Sequence, residues 1–277
     1  MRSKLLWTVL LAVLSAGLIQ AQYPRPTLTQ GVGIDQKLSS QVPLDLTFHD
    51  ELGHSVALRK YFGDKPVILS MVYFTCPSLC PMSLHETVTQ LGRVSLEPDR
   101  DYHVVVVSFN PADTPEAAAQ AKAKYKIQFG NRPGFDEGWH FLTGGEANIK
   151  RITDAIGFRY RWDEKTRQFV HAGGIMVATP DGKMSRYFYG IDYAPADLRM
   201  ALVEASQHKI GSPVDYVLLF CFHYDWAQGR YTLTIINVLK VAAALTVVLL
   251  AGLIFLLMRS DKNKKPIKTW KEAPHAR

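Results

Sequence analysis

The chain has 277 residues and only three cysteines, with 47% hydrophobic residues. That is long enough for a hydrophobic core and too cysteine-poor for a disulfide-stapled scaffold. The formal net charge is +7, but the excess sits at the two ends, which excludes a nucleic-acid footprint along the body of the chain. No Gly-rich phosphate loop, nucleophile elbow or paired-carboxylate pattern is present, so common phosphoryl-transfer and hydrolytic signatures are excluded too.

In chain order, residues 1–21 read as a secretory signal peptide. Arg2 and Lys4 precede an apolar run from Leu5 to Ile19, and small residues Ala16, Gly17 and Ala21 mark cleavage near Ala21. The competing reading is an uncleaved N-terminal anchor. Residues 22–43 read as an extended polar segment with Pro24, Pro26, Gly31 and Gly33. Leu44–Phe48 and Ser55–Leu58 flank the turn Asp50-Glu-Leu-Gly53 and predict an N-terminal hairpin, followed by a short helix over 58–62. Pro66–Phe74 is an apolar, β-branched and aromatic run, a buried strand. Pro81–Val94 reads as a helix. Tyr102–Phe109 is a second buried strand, and Thr114 with Pro115 begins a helix that runs to about Phe129.

Trp139–Leu142 predicts a short strand, and Glu146–Ile156 a helix with Ile149, Ile152 and Ile156 on one face. Phe158–Trp162 and Gln168–His171 flank a charged turn. Ile175–Thr179 and Ser185–Tyr189 flank Pro180-Asp-Gly-Lys, and Pro195–Gln207 is a closing helix. From Pro66 the order is βαβαβα, then hairpin strands and a helix. This is an α/β order, with a thiol pair at its first strand–helix junction. It predicts a thioredoxin-like fold over 44–210.

Residues 211–232 read as a juxtamembrane segment. Within it Cys221 and His223 are two apart, on one side of an extended backbone. They are a candidate second metal site. The competing reading is an interfacial aromatic belt of Phe220, Phe222, Tyr224, Trp226 and Tyr231 around an inert cysteine. Val241–Met258 carries no charge, and the apolar character extends back past Lys240, which can snorkel to the interface. A single C-terminal transmembrane helix is predicted over 233–258. The tail 259–277 holds Arg259, Lys262, Lys264, Lys265, Lys268, Lys271 and Arg277 against Asp261 and Glu272. The positive-inside rule makes it cytoplasmic and places the main domain on the outer face, periplasmic or cell-surface.

The chemistry centres on Cys76 and Cys80, in Val72-Tyr-Phe-Thr-Cys-Pro-Ser-Leu-Cys-Pro-Met82. They lie at a strand-to-helix turn near the positive end of a helix dipole, where thiolates are stabilised and their pKa lowered. At i, i+4 the two sulfurs can close a disulfide or clamp one soft metal ion. A dedicated disulfide exchanger more often spaces its cysteines by two residues.

Thr75-Cys-Pro-Ser-Leu-Cys-Pro81 resembles the TCPxxCP motif of the Sco/SenC family. Ser108-Phe-Asn-Pro-Ala-Asp-Thr-Pro-Glu116 is similar to the family's segment after the next strand. His171 stands where the family has a third metal ligand, and Pro180-Asp-Gly with Tyr187-Phe-Tyr-Gly190 resembles the hairpin behind it. The resemblance covers roughly 30–208. It implies a membrane-tethered thioredoxin-like protein that binds copper through Cys76, Cys80 and His171. It also implies delivery to the dinuclear copper centre in the copper-bearing subunit of cytochrome c oxidase.

Two thiolates and an imidazole suit copper, whereas structural zinc usually takes four ligands. Copper at Cys221 and His223 would be a second site. The family's common anchor is N-terminal, so a C-terminal anchor is a departure.

Two rival readings use the same thiols. One is a thiol–disulfide reductase that keeps the oxidase's acceptor cysteines reduced, drawing on a thiol reductant; the dithiol would be its redox pair and His171 an ordinary hairpin histidine. The other is a peroxide-reducing thiol enzyme, which needs an arginine beside the attacking cysteine. His85 and Glu86 are expected at the surface or beside the site, and Met82 and Met176 as core filler. His49, His54, His103, His140 and His208 have no partner spacing. Asp113 and Glu116 are expected to cap the following helix.

Overall fold

The computed structural model describes residues 31–211, 224–225, 230–231 and 243–254. It divides into two units. One holds the folded domain to Ser212, and the other is built mainly of the C-terminal residues.

The domain is organised on a five-stranded sheet of order β10-β9-β4-β5-β6. Its centre is β4 (Val67–Val72), parallel to β5 (His103–Ser108), which is parallel to β6 (Trp139–Leu142). Every residue of β4 is buried, and so are Val104–Val107 of β5. These near-continuous apolar runs fit strands covered on both faces. β9 (Gly174–Ala178) lies antiparallel on the other side of β4, and β10 (Met184–Tyr189) closes that edge.

Helices α1 (Leu79–Leu91), α2 (Pro115–Gln128), a single turn α3 (Phe135–Gly138), α4 (Glu146–Ile156) and α5 (Pro195–Ser206) complete the domain. α1 contacts α2 and α5, α2 packs on β6, and α5 packs on β9 and β10. The stripe Ile149, Ile152 and Ile156 of α4 is buried, as its spacing predicts. The thioredoxin-like α/β arrangement follows from this order.

The N-terminal hairpin is present as β2 (Thr47–His49) and β3 (Ser55–Ala57), followed by a 3-10 turn at Leu58–Tyr61. β7 (Phe158–Asp163) and β8 (Gln168–His171) pair as expected, and β7 also pairs with β1 (Gly33–Ile34). The result is a separate three-stranded sheet. The helix after the thiols starts at Leu79, two residues before the predicted Pro81, and so takes Cys80 into its first turn. Pro81 is tolerated there because first-turn N–H groups have no intrahelical acceptor.

The signal peptide expected at 1–21 lies outside the described residues, as do the tail 259–277 and most of the juxtamembrane segment. Within that segment Tyr224–Asp225 and Arg230–Tyr231 pair as two short strands, β11 and β12. Of the expected membrane span 233–258, residues 243–254 are described, and they are helical and exposed. No helix among the described residues is long and apolar enough to cross a membrane.

Register sets where chemistry can occur. Val72 of β4 pairs with Ser108 of β5, so the loops that follow the two strands emerge side by side. Ser70 pairs antiparallel with Ile175, so the chain just before Ile175 reaches the same end of the sheet. The carboxyl ends of parallel strands are the usual place for a site in such folds.

The α4–β7 connection depends on Gly157. It closes α4 in the left-handed region with φ 78, and a Cβ there would lie 2.0 Å from the Asp35 carbonyl oxygen. That carbonyl belongs to the residue whose N–H donates to Gly157 O at 2.8 Å. Gly157→Ala should therefore lower unfolding free energy by at least about 1–2 kcal/mol, the left-handed penalty alone. Urea denaturation followed by tryptophan fluorescence measures it, with the midpoint expected to fall and the slope unchanged.

Candidate metal centre

Cys76, Cys80 and His171 meet at the carboxyl end of β4. Cys76 stands in the loop after the strand and Cys80 in the first turn of α1, while β8 ends on His171. Their ligand atoms all lie within 4.8 Å of one another. Among the described residues no other group of three or more His, Cys, Asp or Glu side chains gathers in this way. Both cysteines are free thiols, 8% and 2% exposed respectively.

The imidazole is held by one backbone carbonyl and three aromatic rings. Its Nδ1 is 3.0 Å from the Ala172 carbonyl oxygen and donates to it, which leaves the Nε2 lone pair facing the sulfurs. Nε2 lies 3.2 Å from Cys80 Sγ. Phe109 and Tyr73 meet the ring edge-on at centroid distances of 5.1 and 5.9 Å, and Phe158 packs at 6.3 Å. Packing of this kind holds a ring in one orientation without competing for its nitrogen.

The two thiols are unequal. The Cys80 thiol beside Cys76 Sγ is the main influence that lowers the Cys76 pKa, with His171 and the Cys80 and Ser78 N–H groups adding to it. Burial pushes the Cys80 pKa up, and the neighbouring Cys76 sulfur pushes it further. Helix position suggested two activated thiolates, and burial overrides it at Cys80. Two negative sulfurs side by side in a low-dielectric site repel, so ionising Cys76 makes Cys80 harder to ionise.

Asp113 corrects a sequence expectation. The cap of α2 is Thr114, whose Oγ1 accepts from Ala117 N at 3.4 Å, with Glu116 in the first turn as expected. Asp113 is instead buried behind the cysteine loop. Its Oδ2 accepts from Phe74 N at 2.6 Å and Ser108 Oγ at 2.7 Å, and its Oδ1 from Asn110 Nδ2 at 2.9 Å and Thr75 Oγ1 at 3.1 Å. One carboxylate thus ties the loop that carries Cys76 to the end of β5. The only sequence signal was an acid just past a strand that runs parallel to β4.

The remaining candidates scatter. Met176 is buried in β9 as core filler, but Met82 is exposed, and so is His85. Glu86 accepts from Gln90 within α1. His103 bonds Asp99 and the Tyr61 carbonyl at the opposite end of β5, where the His140 ring packs at a tilt on Tyr61 with centroids 4.1 Å apart. His208 pairs with Asp181 at 3.1 Å and His54 with Asp50 at 3.4 Å, while His49 is exposed on β2. Cys221 and His223 lie outside the described residues.

The pattern of the SCO1/SenC family matches residues 35–205, more than half of the chain, and the chain belongs to that family. The chain is 24% identical over 155 residues to the SCO1 protein homolog of Bacillus subtilis, covering 54% of this chain and 75% of that protein. It is 25% identical over 121 residues to a putative copper-binding protein of Stutzerimonas stutzeri, covering 42% of this chain and 54% of that one. A putative electron transfer protein of Aquifex aeolicus superposes with TM-score 0.55 at 26% identity, covering 62% of this chain and 96% of that structure.

The inequality of the thiols has a direct readout. A short pulse of iodoacetamide at neutral pH should modify Cys76 before Cys80, because the thiolate is the nucleophile. Peptide mapping by mass spectrometry measures the order. Asp113→Ala should speed modification of Cys76 by loosening the loop, and equal labelling of both cysteines in the wild type would remove the assigned asymmetry.

Proposed function

We propose that this member of the SCO1/SenC family binds one copper ion through Cys76, Cys80 and His171 and passes it to the dinuclear copper centre of a cytochrome c oxidase. The observation that carries the proposal is the convergence of two free thiols and one oriented imidazole nitrogen within 4.8 Å. Soft sulfur with imidazole suits copper in either common oxidation state. The name of the Stutzerimonas relative supports the cargo, and the resemblance of the thiol motif to the Sco/SenC family supports the acceptor.

Copper is the cargo, and the chain's own groups do the following. The Cys76 thiolate makes the first bond. Cys80 gives its proton to solvent as its sulfur takes up the metal. His171 Nε2 completes the set without reorientation, because Nδ1 is already held by Ala172 O. Tyr73, Phe109 and Phe158 pack against the imidazole and hold its orientation. Release is ligand exchange: acceptor thiolates replace Cys76 and Cys80 one at a time, while the Asp113 network keeps the emptied loop in shape.

A second reading is supported by the same asymmetry. One thiolate beside one buried thiol is also what a thiol–disulfide reductase uses, with Cys76 attacking and Cys80 resolving. That reading does not need His171, and this separates the two.

We further propose that residues 1–21 direct export and that 233–258 tethers the domain on the outer face with the basic tail in the cytoplasm. The charge distribution of the sequence supports this orientation.

His171→Ala should weaken copper binding by at least about tenfold and change the rate of disulfide exchange at Cys76 and Cys80 much less, because Cys80 is the larger influence on the Cys76 thiol. Competition with a copper(I) chelator measures the first and a dithiol assay the second. Unchanged copper affinity would favour the reductase. Because Cys80 must lose a proton, apparent affinity should rise with pH, by about tenfold per unit while one proton is displaced.

Topology is tested separately. A membrane-impermeant maleimide applied to intact, reduced cells should label Cys76 or Cys80, located by peptide mapping. Protection of both until the membrane is broken would reverse the orientation.

A further inference from the structure

The first turns of α1 carry two metal-binding side chains that the three-ligand site does not use. Met82 and His85 are three residues apart, which places them on one helix face with Cβ atoms about 5–6 Å apart. Both are exposed, and Met82 shows 54% of its surface. Methionine is usually core filler, as Met71, Met176 and Met184 are here. Neither the His85 ring nor the Met82 thioether is taken up by a hydrogen bond or ion pair among the described residues.

The surroundings join this pair to the buried site. Met82 and His85 line a cleft of about 390 Å³, together with Glu86 and Ile191. Ile191 belongs to the wall of the His171 loop, since a Cβ on Gly173 would lie 3.3 Å from Ile191 Cγ2. On the opposite side Pro81, Lys124 and Tyr125 are shared with a cavity of about 240 Å³ that Cys80 itself lines. The Glu86 carboxylate in the cleft offsets the Lys124 ammonium, so a cation is not repelled. An exposed soft donor and an imidazole thus line a cleft that adjoins, through Pro81, Lys124 and Tyr125, the cavity lined by Cys80.

We propose that Met82 and His85 form a landing site where Cu(I) binds before it moves to Cys76, Cys80 and His171. The inference rests on the copper reading above and adds a route to it. Thioether sulfur selects Cu(I) and imidazole accepts it. Both ligands are neutral, so the hold is weaker than that of thiolates. In the transfer step the Cu–Sδ and Cu–N bonds to Met82 and His85 break as Cu–Sγ bonds to Cys76 and Cys80 form. The Cys80 proton passes to solvent, copper stays Cu(I), and no electrons change hands.

The test uses the full chain in detergent and Cu(I) supplied as its bicinchoninate complex. The Cys76→Ser/Cys80→Ser/Cys221→Ser chain should retain weak Cu(I) binding, and adding Met82→Leu and His85→Gln should abolish it. Because serine at two buried positions can disturb folding, a second measurement uses intact thiols. By stopped flow, the Met82→Leu/His85→Gln chain should load several-fold more slowly than wild type and still reach one copper per chain. Wild-type loading rates in that variant, or equal Cu(I) binding with and without Met82 and His85 in the serine background, would overturn the landing site while leaving the three-ligand site standing. If the wild type holds copper no better than the serine chain, the three-ligand reading falls and the landing site falls with it.

Discussion

The carboxylate of Asp113 is the interaction on which the geometry of the centre rests. β4 and β5 are parallel and end together at Val72 and Ser108, but strand pairing stops there and nothing in a sheet ladder dictates where the next residues go. Asp113 dictates it, by accepting from Phe74 N, Thr75 Oγ1, Ser108 Oγ and Asn110 Nδ2 at once. A buried carboxylate is costly unless its lone pairs are filled, and here four donors fill them. The same bonds that stabilise the charge fix the approach of the chain to Cys76. Removing the acid would leave the buried Ser108 hydroxyl without its carboxylate acceptor, at about 1–3 kcal/mol.

With the loop fixed, the thiols are held close in a setting that cannot charge both. Cys80 is buried in the first turn of α1 at 2% exposure and receives the Tyr73 N–H at 3.4 Å, while Cys76 receives the Cys80 N–H at 3.4 Å. The one proton left between two sulfurs is the group that a soft cation displaces. A metal ion resolves the repulsion that burial creates, which is why a site so poorly suited to two thiolates suits two thiolates and a metal. The competing disulfide resolves it by removing both charges.

His171 reaches the site from another sheet. It ends β8, opposite Tyr160 of β7, in the three-stranded sheet that also contains β1. Its position therefore depends on the register of a hairpin and on the Gly173–Gly174 turn into β9, where a Cβ at Gly174 would meet the Phe188 carbonyl oxygen at 2.6 Å. Tyr73, Phe109 and Phe158 fill the space between the two sheets around the imidazole. The dithiol is thus a property of one strand–helix junction, and the third ligand is a property of how two sheets pack.

Much of this was legible in the sequence. The apolar runs of β4 and β5, the Thr114-Pro115 start of α2, and the Ile149, Ile152 and Ile156 stripe of α4 each carry a local signal that burial and capping enforce. The thiol pair was legible because its residues are four apart and bracketed by a strand and a helix. His171 was reached through family resemblance, since no local rule links it to Cys80 across the intervening chain. Three things were decided by tertiary structure alone. Asp113 reads as a helix cap until the parallel register brings Phe74 and Ser108 to it. Cys80 reads as an activated thiol until burial of its face of α1 against the domain outweighs the helix end. Met82 reads as core filler until the packing of α1 turns it outward beside His85. In each case sequence fixes the residue's identity and spacing, while its environment depends on neighbours that are distant in sequence, and it is that environment that sets charge, exposure and chemistry.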